Sequence, residues 1–240
     1  MYKRLSFCLL NFTLLSSIPM SSQTIPEGYV LIYEQNFQSA KAFEDFRFSD
    51  PEVWKLNKIK ENRFLEFTTD SIGYTPAYYS PKNICILSGH IFGEFILEAD
   101  IMQPAKEYEN GDICVFFSVK DSMQYYYVQL ANIADAYNHG IFLVKKDSCK
   151  KVSSDQNNGI NLSDAKWHKV RIVRNIVNRT VAVYIDNMNT PSITARNPEL
   201  VMGYIGFGSF DDDGRIDNIK IWAPTSIPDE ATFFYKKTIP

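Results

Sequence analysis

With three histidines and four cysteines in 240 residues, this chain has little with which to build a metal or redox centre. No Cys-x-x-Cys pair occurs, which argues against zinc held by paired thiolates. Cys8 falls in an N-terminal apolar stretch. The other three, Cys85, Cys114 and Cys149, allow at most one internal bridge and read as small buried hydrophobes. Positive charge is not in excess: 25 Lys and Arg face 28 Asp and Glu, a net −3, so no basic field gathers nucleic acid. No Gly-x-Ser-x-Gly is present, so a nucleophile elbow is missing. The run Gly203-Tyr-Ile-Gly206-Phe-Gly208 is not a dinucleotide fingerprint, because it opens no helix. Its glycines instead let a sheet bend or leave room for a ligand. No window carries a 3.6-residue apolar stripe, and no linker or internal repeat interrupts the chain.

Aromatic residues are plentiful, with 14 Tyr and 17 Phe, and rings suit the half-buried surface of a strand. Period-2 alternation recurs from Val30 to Trp222. Val53-Trp-Lys-Leu and Phe64-Leu-Glu-Phe predict a hairpin across Glu61-Asn62. Phe95 to Met102, Ile113 to Val119, Tyr125 to Ala131 and Ile141 to Val144 predict further strands. So do Trp167 to Val173, Thr180 to Ile185, Met202 to Phe210 and Arg215 to Trp222. Turn formers every 8 to 15 residues give the rhythm of a sandwich. The fold class is therefore all-β and antiparallel, with one helical turn expected over Ile133 to Tyr137. Lys3 and Arg4 precede an apolar stretch from Leu5 to Leu15, then small residues to Ser22. This predicts a signal peptide over residues 1–22, too short for a stable membrane span, and a secreted or periplasmic product. A β-sandwich domain follows over 23–222. A tail over 223–240, with three prolines and little pattern, is expected to pack loosely along the outside.

Three constellations can carry chemistry. Glu98 and Asp100, two apart on a strand, share a face, and a carboxylate pair is what glycoside hydrolysis needs. The third acid of a Glu-x-Asp-x-Glu strand is absent, since Met102 stands there, and a solvated strand face is the competing reading. In Tyr125 to Ala131, alternation puts Tyr126, Val128 and Leu130 in the core and Tyr125, Tyr127 and Gln129 on the opposite face. With Asp112, Asn138 and His139 from neighbouring segments, these can converge on one surface. Tyrosine rings stack on sugar faces, amides and carboxylates bond hydroxyls, and His139 can serve as acid or base. Cross-strand pairs that only stabilise the sheet are the alternative. Asp211 and Asp213, on an acidic Gly turn, can bind calcium or simply form that turn.

Six segments in order then carry a resemblance: Asp50-Pro-Glu-Val-Trp-Lys-Leu, Tyr79-Ser-Pro-Lys-Asn-Ile, Phe92-Gly-Glu-Phe-Ile-Leu-Glu, Tyr125-Tyr-Tyr-Val-Gln-Leu-Ala, Trp167-His-Lys-Val-Arg and Gly206-Phe-Gly-Ser-Phe-Asp-Asp. From Tyr29 to Trp222 the chain resembles exported bacterial proteins of the concanavalin A-like (laminin-G-like) superfamily. Within it, the chain is most similar to the branch of 3-keto-disaccharide, family-16-like glycoside hydrolases. The resemblance implies a jelly-roll sandwich of two curved antiparallel sheets with a concave groove. It implies a setting of polysaccharide processing, and with the constellations above two readings follow: a glycan-directed hydrolase using Glu98, Asp100 and Asp112 with His139 assisting, or a carbohydrate-binding module with Tyr125, Tyr127 and Gln129 as its platform. It also implies a histidine where this chain has Gln129, a change that keeps hydrogen bonding and removes an ionisable group. An adhesion or scaffold protein with a protein partner is the remaining class.

Overall fold

The computed structural model describes residues 24–68, 73–76, 78–104, 111–153, 158–197 and 199–237. The expected signal peptide lies outside these residues. In chain order the strands are β1 (Val30–Gln35), β2 (Phe46–Phe48), β3 (Trp54–Ile59), β4 (Asn62–Phe67), β5 (Asn83–Leu87), β6 (Gly89–Ile91), β7 (Phe95–Met102), β8 (Asp112–Asp121) and β9 (Gln124–Ala131). They continue with β10 (Gly140–Lys145), β11 (Ser148–Lys151), β12 (His168–Asn175), β13 (Thr180–Ile185), β14 (Ile193–Arg196), β15 (Tyr204–Ser209), β16 (Gly214–Ala223) and β17 (Ile227–Asp229).

Two antiparallel sheets form the body. The first runs β14-β13-β12-β7-β16-β4-β3, with β1 also on β16; the second runs β11-β10-β9-β8-β15-β5-β2. Between them lies the main core. Leu97, Ala99 and Ile101 of β7 and Val170 and Ile172 of β12 meet Ile113, Val115, Phe117, Tyr126, Val128 and Leu130 of β8 and β9. Every one of these positions follows the alternation of its strand, because a strand hands successive side chains to opposite faces.

The two outer faces differ. On the first sheet the outward positions of β7 and β12 include Glu98, Asp100, Lys169 and Arg171, giving the apolar-in, polar-out pattern of a half-solvated antiparallel sheet. The second sheet has a second apolar cluster on its outer face, with Ile84, Ile86, Cys114, Phe116, Tyr125, Tyr127, Phe142 and Tyr204. With both faces apolar, its strands read as nearly continuous hydrophobic runs. The C-terminal segment covers part of this face and does not lie loosely, as its sequence suggested. Strand β17 pairs with β6, and Tyr235 bridges Phe48. Phe233 packs on Tyr204 at 5.8 Å and Phe234 on Tyr74 at 5.4 Å between ring centroids. Tyr204 donates to Asp229 at 2.7 Å. The segment docks because its aromatic residues find an apolar face that would otherwise be wet.

Candidate functional site

Two pockets lie on that face over β8 to β11. Antiparallel register sets its rows. Phe116, Tyr127, Phe142 and Lys151 stand side by side on four strands, and Cys114, Gln129 and Gly140 form the next row. Tyr127 stacks on Phe142 at 5.0 Å with the rings 8° from parallel. Gly140 leaves the second row open on one side. A Cβ there would lie 2.4 Å from Cε of Lys151, whose chain crosses the gap so that Nζ donates to the Asp135 carbonyl at 2.6 Å.

Lys151 thus fastens the connection from Asn132 to His139, which contains bends and no helical turn, contrary to expectation. Its side chains explain why. Asp135 Oδ1 accepts the backbone N–H groups of Tyr137 and Asn138, both at 2.7 Å, and the Asn138 amide donates to the same carboxylate. Such local side-chain bonds compete with helix. The Asn138 amide, then the Tyr137 backbone, hold the Asp135 carboxyl below the usual carboxylate range.

This connection separates two adjoining pockets. The polar one, about 250 Å³, is lined by Asp112, Gln129, Asn132, Ile133, Asp135 and Asn138, among others. Gln129 Nε2 donates to Asp112 Oδ2 at 2.6 Å, and Phe210 N–H donates to Asp112 Oδ1 at 3.2 Å. The Gln129 carbonyl, Oε1, is buried and has no hydrogen-bond partner. Such an acceptor is costly to leave unmatched. The second pocket, about 230 Å³, is aromatic, with Tyr79, Tyr127, Tyr137, Phe142 and Phe210 in its wall. Two of these rings stand at the rim: Tyr79 is 80% and Tyr137 81% exposed.

The structure therefore sorts the expected site residues. Asp112, Gln129 and Asn138 come together, and Tyr127 joins them through the neighbouring pocket. Tyr125 shares their face but lines neither pocket, and it donates to Ser80 at 3.1 Å. Glu98 and Asp100 do share a face, but it is the outer face of the first sheet, with the core between them and Asp112. Cations neutralise both: Arg171 binds Glu98, with Nε at 2.8 Å, and Lys169 reaches Asp100 at 3.0 Å. They cannot act with Asp112 on one substrate. His139 is buried behind the connection. Its Nδ1 accepts the Ala131 N–H at 3.2 Å, which fixes that nitrogen as unprotonated in a structural bond. Asp211 is exposed, and Asp213 shares its turn. The acid between them, Asp212, turns inward and accepts the Asp112 N–H at 2.9 Å. Among the described residues no three His, Cys, Asp or Glu side chains gather to hold a metal. Sequence reading missed Tyr79 and Tyr137 as rim residues, since loops carry no period, and missed Asp212 for the same reason.

Burial, then the Asp212 carboxylate, raise Asp112 to about 7. From about pH 4 to 7 the folded chain thus keeps a proton that the unfolded chain has released, so this group's contribution to stability falls as pH rises through that window. Asp112→Asn removes the titration. Urea unfolding of variant and wild type at pH 5 and pH 8 is expected to show the variant gaining relative to wild type at the higher pH. An unchanged difference would place the titration elsewhere.

No protein-family model matches the chain, and no curated protein matches it in sequence. Solved structures do share its architecture. The carbohydrate-binding module CBM66 from Bacillus subtilis superposes with a TM-score of 0.52 at 12% identity, over 75% of this chain and 96% of that one. Lectin I-B4 from Griffonia simplicifolia gives 0.54 at 10% identity, over 81% and 99%. The seed lectin of Lotus tetragonolobus gives 0.51 at 10%, over 84% and 100%. The fold is a lectin-like, concanavalin A-like jelly-roll sandwich.

Proposed function

We propose that this chain binds carbohydrate in the paired pockets over β8 to β11. One observation carries the reading. Two highly exposed tyrosines flank an aromatic pocket that adjoins a polar one, where the Asp112 carboxyl and the unmatched Gln129 carbonyl sit. Sugars present an apolar C–H face and a rim of hydroxyls. Rings take the first, while a buried carbonyl and a carboxyl take the second. The sandwiches of similar fold that are named as lectins or as a carbohydrate-binding module support the reading. The N-terminal segment over residues 1–22 fits export, which would place the protein where extracellular or periplasmic glycans are met.

Gln129→Met keeps the length and nearly the volume of the side chain and removes the carbonyl, together with the amide that bonds Asp112. Calorimetry with a panel of neutral oligosaccharides is expected to show saturable binding by wild type, and affinity about tenfold lower in the variant, as for one lost hydrogen bond of ~1.4 kcal/mol. Equal affinity would remove Gln129 from the site.

Hydrolysis of a glycoside or 3-keto-glycoside is a second reading. It is favoured by Asp112, which lines the polar pocket and whose carboxyl burial and the Asp212 charge raise to about 7, a range suited to a general acid. Mass spectrometry of the same panel separates the readings. A product that Asp112→Asn abolishes would establish hydrolysis; bound but intact sugar would leave recognition alone.

A further inference from the structure

Strand β12 places Val170 and Ile172 in the core, and the next residue in that phase is Arg174. An arginine therefore continues an apolar stripe, and it is only 4% exposed. Its guanidinium lies 5.1 Å from the Phe117 ring centre and 5.5 Å from that of Tyr126, two rings that stack on each other at 5.0 Å. Nη2 donates to the carbonyls of Leu200 and Val201. Nε is buried and has no hydrogen-bond partner. Among the described residues no carboxylate pairs with this guanidinium. Burial pulls its pKa down to about 10, so it stays cationic at neutral pH.

A buried charge is normally matched by a counter-charge, because removing it from water is costly and ring faces with two carbonyls answer only part of that cost. Beside Arg174 lies a cavity of about 240 Å³, walled also by Asn175, Arg179, Thr180, Asn197 and Val201. No acid lines it. Arg179 is exposed on its wall and, among the described residues, its side chain forms no hydrogen bond or ion pair. The nearby acids are engaged elsewhere: Glu94 with Tyr29 and Asn175, and Glu199 with Lys145 and Lys150. Two arginines thus line a small cavity together with the Asn197 amide, and no carboxylate residue is in its wall among the described residues.

We propose that this cavity is a second binding site, separate from the sugar groove, for a small oxyanion, a carboxylate or sulfate group. Arg174 supplies the desolvated charge and Arg179 closes over the anion from outside. The planar fork of arginine matches both groups, and its bonds to them are strongest where water is excluded. The cavity's volume, about 240 Å³, holds one such group with the few atoms that carry it. Two sources fit this chemistry: a free anion, or the acidic group of a uronic or sulfated sugar.

The probes are sodium sulfate, sodium acetate, glucuronic acid and a monosaccharide sulfate, each titrated at constant ionic strength into the full chain. The readout is the NMR signals of arginine Nε–H groups. The Arg174 signal is expected to shift saturably at millimolar probe or below, while those of Arg171 and Arg215, already paired with Glu98 and Glu66, stay put. Arg179→Gln is expected to weaken binding about tenfold and to leave neutral-oligosaccharide binding unchanged. Because Arg179 is exposed, this variant tests the site even if Arg174→Gln fails to fold. Saturation by sulfate itself would mean that the site reads the anion alone. Saturation only by the acidic sugars would mean that it reads the sugar as well. Linear, unsaturable shifts with all four probes, or equal affinity in Arg179→Gln, would overturn the proposal.

Discussion

Replacing Tyr79 and Tyr137 together with alanine is expected to weaken oligosaccharide binding about a hundredfold without changing stability. Each ring stands at the pocket rim, four-fifths exposed. Removing it therefore costs the fold little, since exposed positions seldom move stability by more than about 0.5 kcal/mol. Stacking on a sugar face covers the ring on one side, an aromatic contact on the order of 1.4 kcal/mol, or tenfold in affinity. The two rings belong to different loops, so their losses are expected to add. Tyr79 is also braced by Phe210 at 5.2 Å, which holds its ring in place before any ligand arrives. Calorimetry on the single and double variants, with thermal unfolding alongside, checks both halves of the expectation. A double variant that binds like wild type would exclude the rim, whatever else binds sugar.

Gly208→Ala is expected to destabilise the protein by at least ~3 kcal/mol, or to prevent folding. Gly208 lies mid-strand in β15 between β8 and β5, and a Cβ there would sit 1.7 Å from the Asn83 carbonyl oxygen. That atom is backbone, so no side-chain rotation relieves the clash. The strands would have to part, at the upper end of the usual cost of overpacking or beyond. Gly206, two residues earlier, is in a similar position, 2.2 Å from the Cys85 carbonyl. These glycines are needed for the close approach of neighbouring strands in the second sheet. Urea unfolding measures the loss. A Gly208→Ala protein within 1 kcal/mol of wild type would show that the sheet adapts more freely than its packing implies.

The sequence was informative wherever a face was at stake. Alternation separated Tyr126, Val128 and Leu130 from Tyr125, Tyr127 and Gln129, and the structure keeps that division. It also put Glu98 and Asp100 side by side, because period 2 is a local property. It could not say which sheet they would join, since pairing is decided by contacts far along the chain. For the same reason Tyr125 read as open surface. Its hydroxyl is taken by Ser80, 45 residues earlier, and nothing in Tyr125's own strand records that contact. The β14 strand alternates but is only four residues long, and β5 is apolar on both faces, so neither gave a strand signal. Rim residues are hardest of all. Tyr137 is placed by the Asp135 turn and Tyr79 by packing on Phe210, and neither has a period to betray it. Arg174 is the opposite case. Its place in phase with Val170 and Ile172 was written in the sequence as a charge where an apolar residue was due.

Hydrogen–deuterium exchange directly tests the proposed seating of a glycan over β8 to β11. With the tightest-binding oligosaccharide of the panel at saturation, slower exchange is predicted in the connection from Asn132 to Gly140 and around Tyr79. No change is predicted in β7 and β12, whose outer face carries Glu98 and Asp100. Protection on that outer face, or none in the connection while sugar is bound, would contradict the account.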